Sequence, residues 1–263
     1  MKLYQIDAFT KEIFKGNPAA VCILEEEKSD AWLQCLAVEM NLSETAFILK
    51  KGDRYSLRWF TPTKEVPLCG HATLASSFTL FSEGYHLQGT PIFFDTLSGE
   101  LAVSRDGDSI EMDFPANHAS IFGYADLAKA EKEFKSKIEE VLIYPDELIF
   151  IFKDVRDVLK ADPDMGWIST LATNGVIVSG WSGGEDYDFA SRYFAPNLGI
   201  PEDPVTGFMH TILTPYWAQK KQINQFKAFQ ASVRTGKMET ELRKDRVILK
   251  GNAVKVFETE IDF

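Results

Sequence analysis

The sequence predicts an α+β protein built as two β-rich, barrel-like halves, each around its own buried helix. Three observations carry this. Short runs rich in β-branched and aromatic residues, bounded by Gly, Pro and polar turns, recur along most of the chain. Two segments, His71–Phe81 and Thr206–Trp217, have helical length and almost no polar face, and such a helix belongs inside something. A short pattern ahead of the first segment is repeated ahead of the second.

The elements follow in order. Leu3–Phe9, Ala19–Leu24, Glu44–Leu49 and Tyr55–Thr61 read as strands. Ser29–Met40 opens on Ser-Asp and sets Trp32, Leu33, Leu36, Ala37 and Met40 at amphipathic helical spacing, with Cys35 read on the apolar side. Pro91–Thr96, Glu100–Arg105 and Ser109–Phe114 are strands joined by Leu97-Ser98-Gly99 and Asp106-Gly107-Asp108 turns. Glu147–Phe152, Gly175–Ser179, Phe189–Phe194, Phe226–Gln230, Glu239–Arg243 and Arg246–Lys250 continue the pattern, with Lys244-Asp245 as a hairpin tip. Pro115-Ala116-Asn117-His118 marks the boundary, giving halves 1–115 and 116–263, with Val254–Phe263 able to pair back onto the first. No low-complexity linker separates the halves, and a tight junction between domains is a common place for a small ligand.

Composition narrows the function. Lys and Arg number 28 against 39 Asp and Glu, a net charge of −11, and basic residues adjoin only in pairs, such as Lys220-Lys221. Phosphate binding needs a positive surface, so nucleic acid is not an expected partner. Hydrophobic residues make up 45% of the 263, with 20 Phe, enough for a sizeable core. No apolar window is long enough for a membrane span, and the opening Met1–Asp7 reads as a first strand rather than a signal peptide. Cys22, Cys35 and Cys69 form no CxxC and no Cys–His ligand cluster. They read as reduced thiols of a cytoplasmic protein without structural zinc, Cys22 and Cys35 as core. Walker A, GxGxxG, His-Glu-x-x-His and Gly-x-Ser-x-Gly motifs do not occur.

The repeated pattern is Arg58-Trp59-Phe60-Thr61-Pro62, then Glu65, then Cys69-Gly70-His71 and an apolar helix. Its echo is Arg192-Tyr193-Phe194-Ala195-Pro196, then Glu202-Asp203-Pro204, then Thr206-Gly207 and the second apolar helix with His210. Four elements in one order, each leading into a helix of one type, point to duplicated halves. Each half thereby brings a glycine to a helix N-terminus, where backbone N–H groups lack helical partners and the dipole is positive. Two such ends would hold a small anion, a carboxylate for example, inside a protein of negative net charge.

Chemistry-bearing side chains stand nearby. From spacing alone Glu44 reads first as a solvated turn carboxylate; the alternative is a partly buried general acid/base with a pKa raised by desolvation. His71 reads equally as a hydrogen-bonded helix-start residue or as a ligand contact or proton carrier. His210, a turn further into its helix, reads as packed. Asp203 is a turn or capping acid whose place in the echo raises its standing. Cys69 is a helix-start thiolate or a small buried hydrophobe.

At these residues the sequence resembles the phenazine biosynthesis-like (PhzF) isomerase family, which shares the diaminopimelate epimerase fold. The segments are Asp7–Thr10, Gly16–Val21, Met40–Phe47, Leu57–Pro62, Val66–Thr73, Leu97–Gly99 and Tyr193–Gly207, in order along the chain. The resemblance implies a catalytic acid/base at Glu44, His71 and Asp203 beside the substrate, and Gly70 and Gly207 amides facing it. It also implies substrate contacts from Ser43 and from Arg234 and Gly236 of the Ser232–Gly236 segment. It implies a homodimer, a small carboxylate-bearing substrate, and no metal or organic cofactor. Two departures stand out: Phe208 and Met209 occupy positions where the family usually has Ser-Ala, and Lys237 stands where a second glycine is common. The leading expectation is a cofactor-independent isomerase that moves a proton within such a substrate. The alternatives are a racemase or epimerase using Cys69, for which a second thiol near Asp203–Gly207 is lacking, and a binding module without turnover.

Overall fold

The computed structural model describes residues 1–171 and 173–261. Asp262 and Phe263, the end of the segment expected to pair back, lie outside the described residues. The chain divides into two compact units, Met1–Asp113 with Ile248–Phe263, and Phe114–Val247. The second unit therefore ends at Val247, and the chain re-enters the first one strand before its last.

In the first unit Lys2–Ala8 lies antiparallel to both Asn17–Leu24 and Ala253–Glu260. Asn17–Leu24 pairs in parallel with Glu44–Lys51, a connection made by the Asp30–Met40 helix, because parallel neighbours need a crossover. Arg54–Phe60 follows antiparallel, then Ile92–Thr96 in parallel, with the Gly70–Ser82 helix as the crossover. Gly99–Asp106, Ser109–Pro115 and Arg246–Gly251 complete the succession. Arg246–Gly251 runs through Asn252 into Ala253–Glu260, so the pairings return to their start and the sheet is barrel-like. The Gly70–Ser82 helix has ten buried residues, four of them bearing hydroxyls. Three hydroxyls, of Thr73, Ser77 and Thr79, donate to the carbonyl one turn back, at 2.6, 2.8 and 2.9 Å. That local bond is how a helix with buried polar groups avoids the desolvation cost.

The second unit repeats the order. From Ile138–Tyr144 the pairings run antiparallel to Glu147–Phe152, parallel to Gly175–Trp181, antiparallel to Phe189–Phe194, parallel to Gln225–Gln230 and antiparallel to Gly236–Arg243. The Gly207–Lys221 helix stands in the connection that Gly70–Ser82 occupies in the first unit. The echo reaches the side chains. Arg58 makes a two-pronged ion pair with Glu65 at 2.7 and 2.7 Å, and Arg192 makes one with Glu202 at 2.7 and 2.9 Å. Each guanidinium also lies over the phenylalanine two residues on, 5.1 Å from the Phe60 centroid and 4.8 Å from that of Phe194. The arginine–glutamate spacing is seven residues in one loop and ten in the other. The short 3₁₀ turn Pro196–Leu198 and the left-handed Gly199 (φ 90°) take up the difference.

Pro215 inside the Gly207–Lys221 helix cannot donate to the Thr211 carbonyl. The Asn117 N–H donates there instead at 3.0 Å, and the Asn117 side-chain amide donates to the Thr211 hydroxyl at 2.8 Å. Between Phe114 and Tyr187 the structure adds elements that the sequence pattern did not mark. They are the helices Leu127–Phe134, Val155–Lys160 and Met165–Ser169, the strand Ile138–Tyr144 and the short strand Ser120–Ile121 paired with it. Cys35 is exposed, contrary to its expected place in the core. The buried line of its helix is Leu33 and Ala37; at about 100° per residue, Cys35 lies roughly opposite both.

Candidate active site

Two groups of side chains carry the predicted site residues, one built inside each unit. In the first, the left-handed Asn41 (φ 48°) ends the Asp30–Met40 helix, Leu42 and Ser43 turn the chain, and Glu44 begins a strand. Cys69 caps the Gly70–Ser82 helix with extended backbone, which sets Gly70 and His71 as its first two residues. Their N–H groups have no intrahelical partner. His71 Nε2 lies 3.2 Å from a Glu44 carboxylate oxygen, with side-chain exposures of 7% and 19%. The site carboxylate is therefore half-withdrawn from water, not a solvated turn residue.

His71 Nδ1 meets the Asn17 side-chain nitrogen at 3.2 Å and the Cys69 sulfur at 3.5 Å. An amide NH₂ only donates, so Nδ1 accepts and the ring proton sits on Nε2, facing Glu44. Burial pushes the His71 pKa down to about 3, so the imidazole is neutral. Glu44 thus stands beside a neutral imidazole, which supplies no positive charge to the carboxylate. Asn17, drawn in from 54 residues away, was not assigned a role from the sequence.

In the second group Asp203 accepts from the Thr206 hydroxyl at 2.5 Å, and its N–H donates to the Tyr193 carbonyl at 3.0 Å. Thr206 caps the Gly207–Lys221 helix, as Cys69 caps the other. The buried Gln230 closes the loop: its amide nitrogen donates to the Asp203 carbonyl at 2.8 Å, and its oxygen accepts from the Thr206 N–H at 2.7 Å. Ser232 donates to the Pro204 carbonyl at 2.7 Å. Arg234 is half-buried in the following turn, where Thr235 is left-handed (φ 59°). A Cβ on Gly236 would meet Val205 at 2.3 Å, so glycine lets this strand press against the Asp203–Gly207 loop. The structure therefore unites Glu44, Ser43, Gly70 and His71 in one unit, and Asp203, Gly207, Arg234 and Gly236 in the other. His210 is fully buried, as expected, with Nδ1 against the Thr206 carbonyl at 2.8 Å.

Gln230 has no sequence signature, because it reaches Asp203 across 27 residues. Gln230→Ala removes both loop bonds and leaves the buried Thr206 N–H without its acceptor. The expected cost is about 1–3 kcal/mol, read as a lower urea midpoint at unchanged m-value. A midpoint equal to the parent's would show that the loop holds itself.

Buried titrating groups fix a pH dependence. Burial also lowers the His210 pKa, to about 4, while desolvation raises that of Glu147, bonded to the Tyr193 hydroxyl at 2.9 Å, to about 7. Between the ordinary histidine value of 6.5 and these lowered values, the unfolded chain binds protons that native His71 and His210 refuse. Their stabilisation is present above about pH 6.5 and is lost as pH falls. The Glu147 contribution has the opposite sign: it is full below 4.5 and is lost as pH rises through about 7. Urea titrations should place maximal stability near pH 6.5, with a steeper fall on the acid side, where two groups act. A monotonic rise from pH 5 to 9 would contradict the Glu147 assignment.

The duplicated α+β barrel-like fold and the likeness to curated isomerases make this chain an isomerase-type enzyme. The sequence model of the phenazine biosynthesis-like (PhzC-PhzF) family matches residues 6–259, and the chain belongs to this family. An uncharacterised isomerase of Halalkalibacterium halodurans is 44% identical over 98% of this chain and 97% of its own length. A crystal structure of a PhzF-family protein of Enterococcus faecalis superposes with a TM-score of 0.93 at 40% identity, covering 100% of this chain and 99% of that one. A probable proline racemase of Agrobacterium radiobacter shares the fold at a TM-score of 0.66 and 10% identity, over 99% and 92% of the two chains.

Proposed function

We propose that this chain is a cofactor-independent isomerase that moves a proton within a small carboxylate-bearing substrate, with Glu44 as the acid/base. The observation that carries the reading is the 3.2 Å approach of the neutral His71 Nε2–H to the half-buried Glu44 carboxylate. Glu44 takes a proton from a carbon acidified by a neighbouring carboxylate or unsaturated bond. The Gly70 and Gly207 N–H groups, both at helix starts, and the His71 N–H stabilise the negative charge that develops. The protonated Glu44 then returns the proton to another carbon or face. Asp203, Ser43, Arg234 and Gly236 are assigned to orienting the substrate. The homodimer is carried over on family resemblance, and light scattering of the purified protein tests it. A cytoplasmic location is supported by the three thiols, Cys22, Cys35 and Cys69.

One observation favours a second reading. Cys69 lies 3.5 Å from His71 Nδ1, close enough for the imidazole to accept the thiol proton. A two-thiol racemase would need a second cysteine at the other helix start, where Thr206 stands. The exposed Phe208, its ring 5.9 Å from that of Tyr144, puts an aromatic surface at that helix start. The substrate is therefore expected to present an apolar or planar part there. In D₂O, with a panel of small unsaturated and amino carboxylic acids, the isomerase reading expects deuterium at a substrate carbon. Saturable binding of an acid with no exchange into it would instead make the chain a binding module.

A further inference from the structure

His71 Nε2 carries the ring proton, yet it makes no hydrogen bond among the described residues, although the side chain is only 7% exposed. Glu44 approaches it at 3.2 Å without hydrogen-bond geometry. An open buried donor costs free energy and marks a place that a ligand can complete. Which ring nitrogen is the donor is decided on the other side of the ring. There the fully buried Asn17 sets its side-chain nitrogen 3.2 Å from Nδ1. We propose that Asn17 is a positioning residue: its amide occupies the Nδ1 lone pair and so holds the proton on Nε2, where a substrate's developing negative charge meets it. Its part in the reaction rests on the isomerase reading above; the state of the ring does not.

The chain on either side holds Asn17 in place. A Cβ on Gly16 (φ 66°) would meet the Ala8 carbonyl oxygen at 2.1 Å, so glycine alone lets the chain turn into the strand this close to its neighbour. Pro18 confines Asn17 to extended backbone, and Asn17 pairs with Ala8 at the start of Asn17–Leu24. Ala19, one side-chain period further on, is in register with Glu44 of the neighbouring parallel strand. Asn17 and Glu44 therefore project from the same face of adjacent strands. The His71 ring lies between them, Nδ1 toward the amide and Nε2 toward the carboxylate. Burial keeps the ring neutral, so it has one proton to place, and the bond accepted at Nδ1 decides where. The Cys69 sulfur, 3.5 Å from the same nitrogen, brings a second and weaker donor there. Gly16-Asn17-Pro18 thereby acquires a physical role in the site.

The test is the nitrogen-15 NMR spectrum of the His71 ring in the full-length, histidine-labelled protein. At pH 8 the parent should show Nδ1 unprotonated and Nε2 protonated. Asn17→Asp keeps the shape of the side chain but, once ionised, offers only acceptors, so it should draw the proton to Nδ1. The ionisable groups already beside the ring are Glu44 and Cys69. A further carboxylate should move the His71 titration upward from about 3. A proton on Nδ1 in the parent, or one that stays on Nε2 alone in Asn17→Asp, overturns the assignment. If Asn17→Asp does not fold, Asn17→Leu decides: the Nδ1 resonance should shift as the accepted bond is lost, and an unshifted resonance shows that the amide does not hold it. Solvent deuterium exchange should fall about a hundredfold in Asn17→Asp, the cost of one stabilising donor, in kcat more than in KM. A displaced proton with undiminished exchange overturns the role in the reaction. Absence of exchange in the parent instead fails the isomerase reading, and the ring spectra alone then decide what Asn17 does.

Discussion

Phe134→Ala should destabilise the second unit by about 3–5 kcal/mol, the usual cost of emptying a phenylalanine site in a packed core. The ring is 4% exposed, with its centroid 5.2 Å from those of Phe150, Phe152 and Trp167. It is the last residue of a short, mostly polar helix, and Lys135 (φ 52°) turns left-handed straight after it. That helix therefore has one main anchor in the core. Phe150 and Phe152 lie on a strand buried at all six positions, which cannot collapse into the space without losing its register to Gly175–Trp181. Urea unfolding followed by tryptophan fluorescence should show a midpoint lowered in proportion, with Phe134→Leu losing no more than about 1.5 kcal/mol. A loss below 1 kcal/mol for the alanine variant would mean that the Leu127–Phe134 helix is not an anchor.

The architecture was legible where local chemistry and tertiary role agree. The strands of the first half are runs rich in β-branched and aromatic residues that end on turn residues, and the two central helices lack a polar face because both are enclosed. The arginine–glutamate echo was readable because a two-pronged ion pair over a phenylalanine needs those residue types at nearly fixed spacing. What failed to read lies between Phe114 and Tyr187. The Leu127–Phe134 helix buries only Ala130 and Phe134, and Ile138–Tyr144 carries Glu139 and Glu140 directly after its first residue, so neither repeats its period long enough to be recognised. Cys35 was misplaced because the stripe through Trp32, Leu36 and Met40 is only partly covered, while the buried line is Leu33 and Ala37.

The site was legible in part. Gly70 and Gly207 at helix starts followed from the pattern, and their local placement is as read. Glu44 did not follow from spacing, which reads it as a solvated turn acid. Its standing came from the family resemblance, and its half-buried contact with His71 comes from the strand register that brings Asn17–Leu24 and Glu44–Lys51 side by side. Asn17 and Gln230 were invisible, because each meets its partner through tertiary contacts rather than through any local spacing.

Glu44→Gln should abolish proton transfer while leaving the fold intact. Glutamine keeps the size of the side chain and can occupy the same place, 3.2 Å from His71 Nε2. It cannot accept and return a carbon proton, and losing a general acid/base typically costs about 10²–10⁴ in rate. Cys69→Ala removes a contact to the far side of the same ring without touching the carboxylate, and Asn17 still donates to Nδ1. Solvent deuterium exchange into a bound small carboxylic acid, followed by NMR in both variants, tests the central claim most directly. The account predicts exchange reduced at least a hundredfold in Glu44→Gln and largely retained in Cys69→Ala; exchange that survives without Glu44 and disappears without Cys69 would make this a thiol-dependent epimerase.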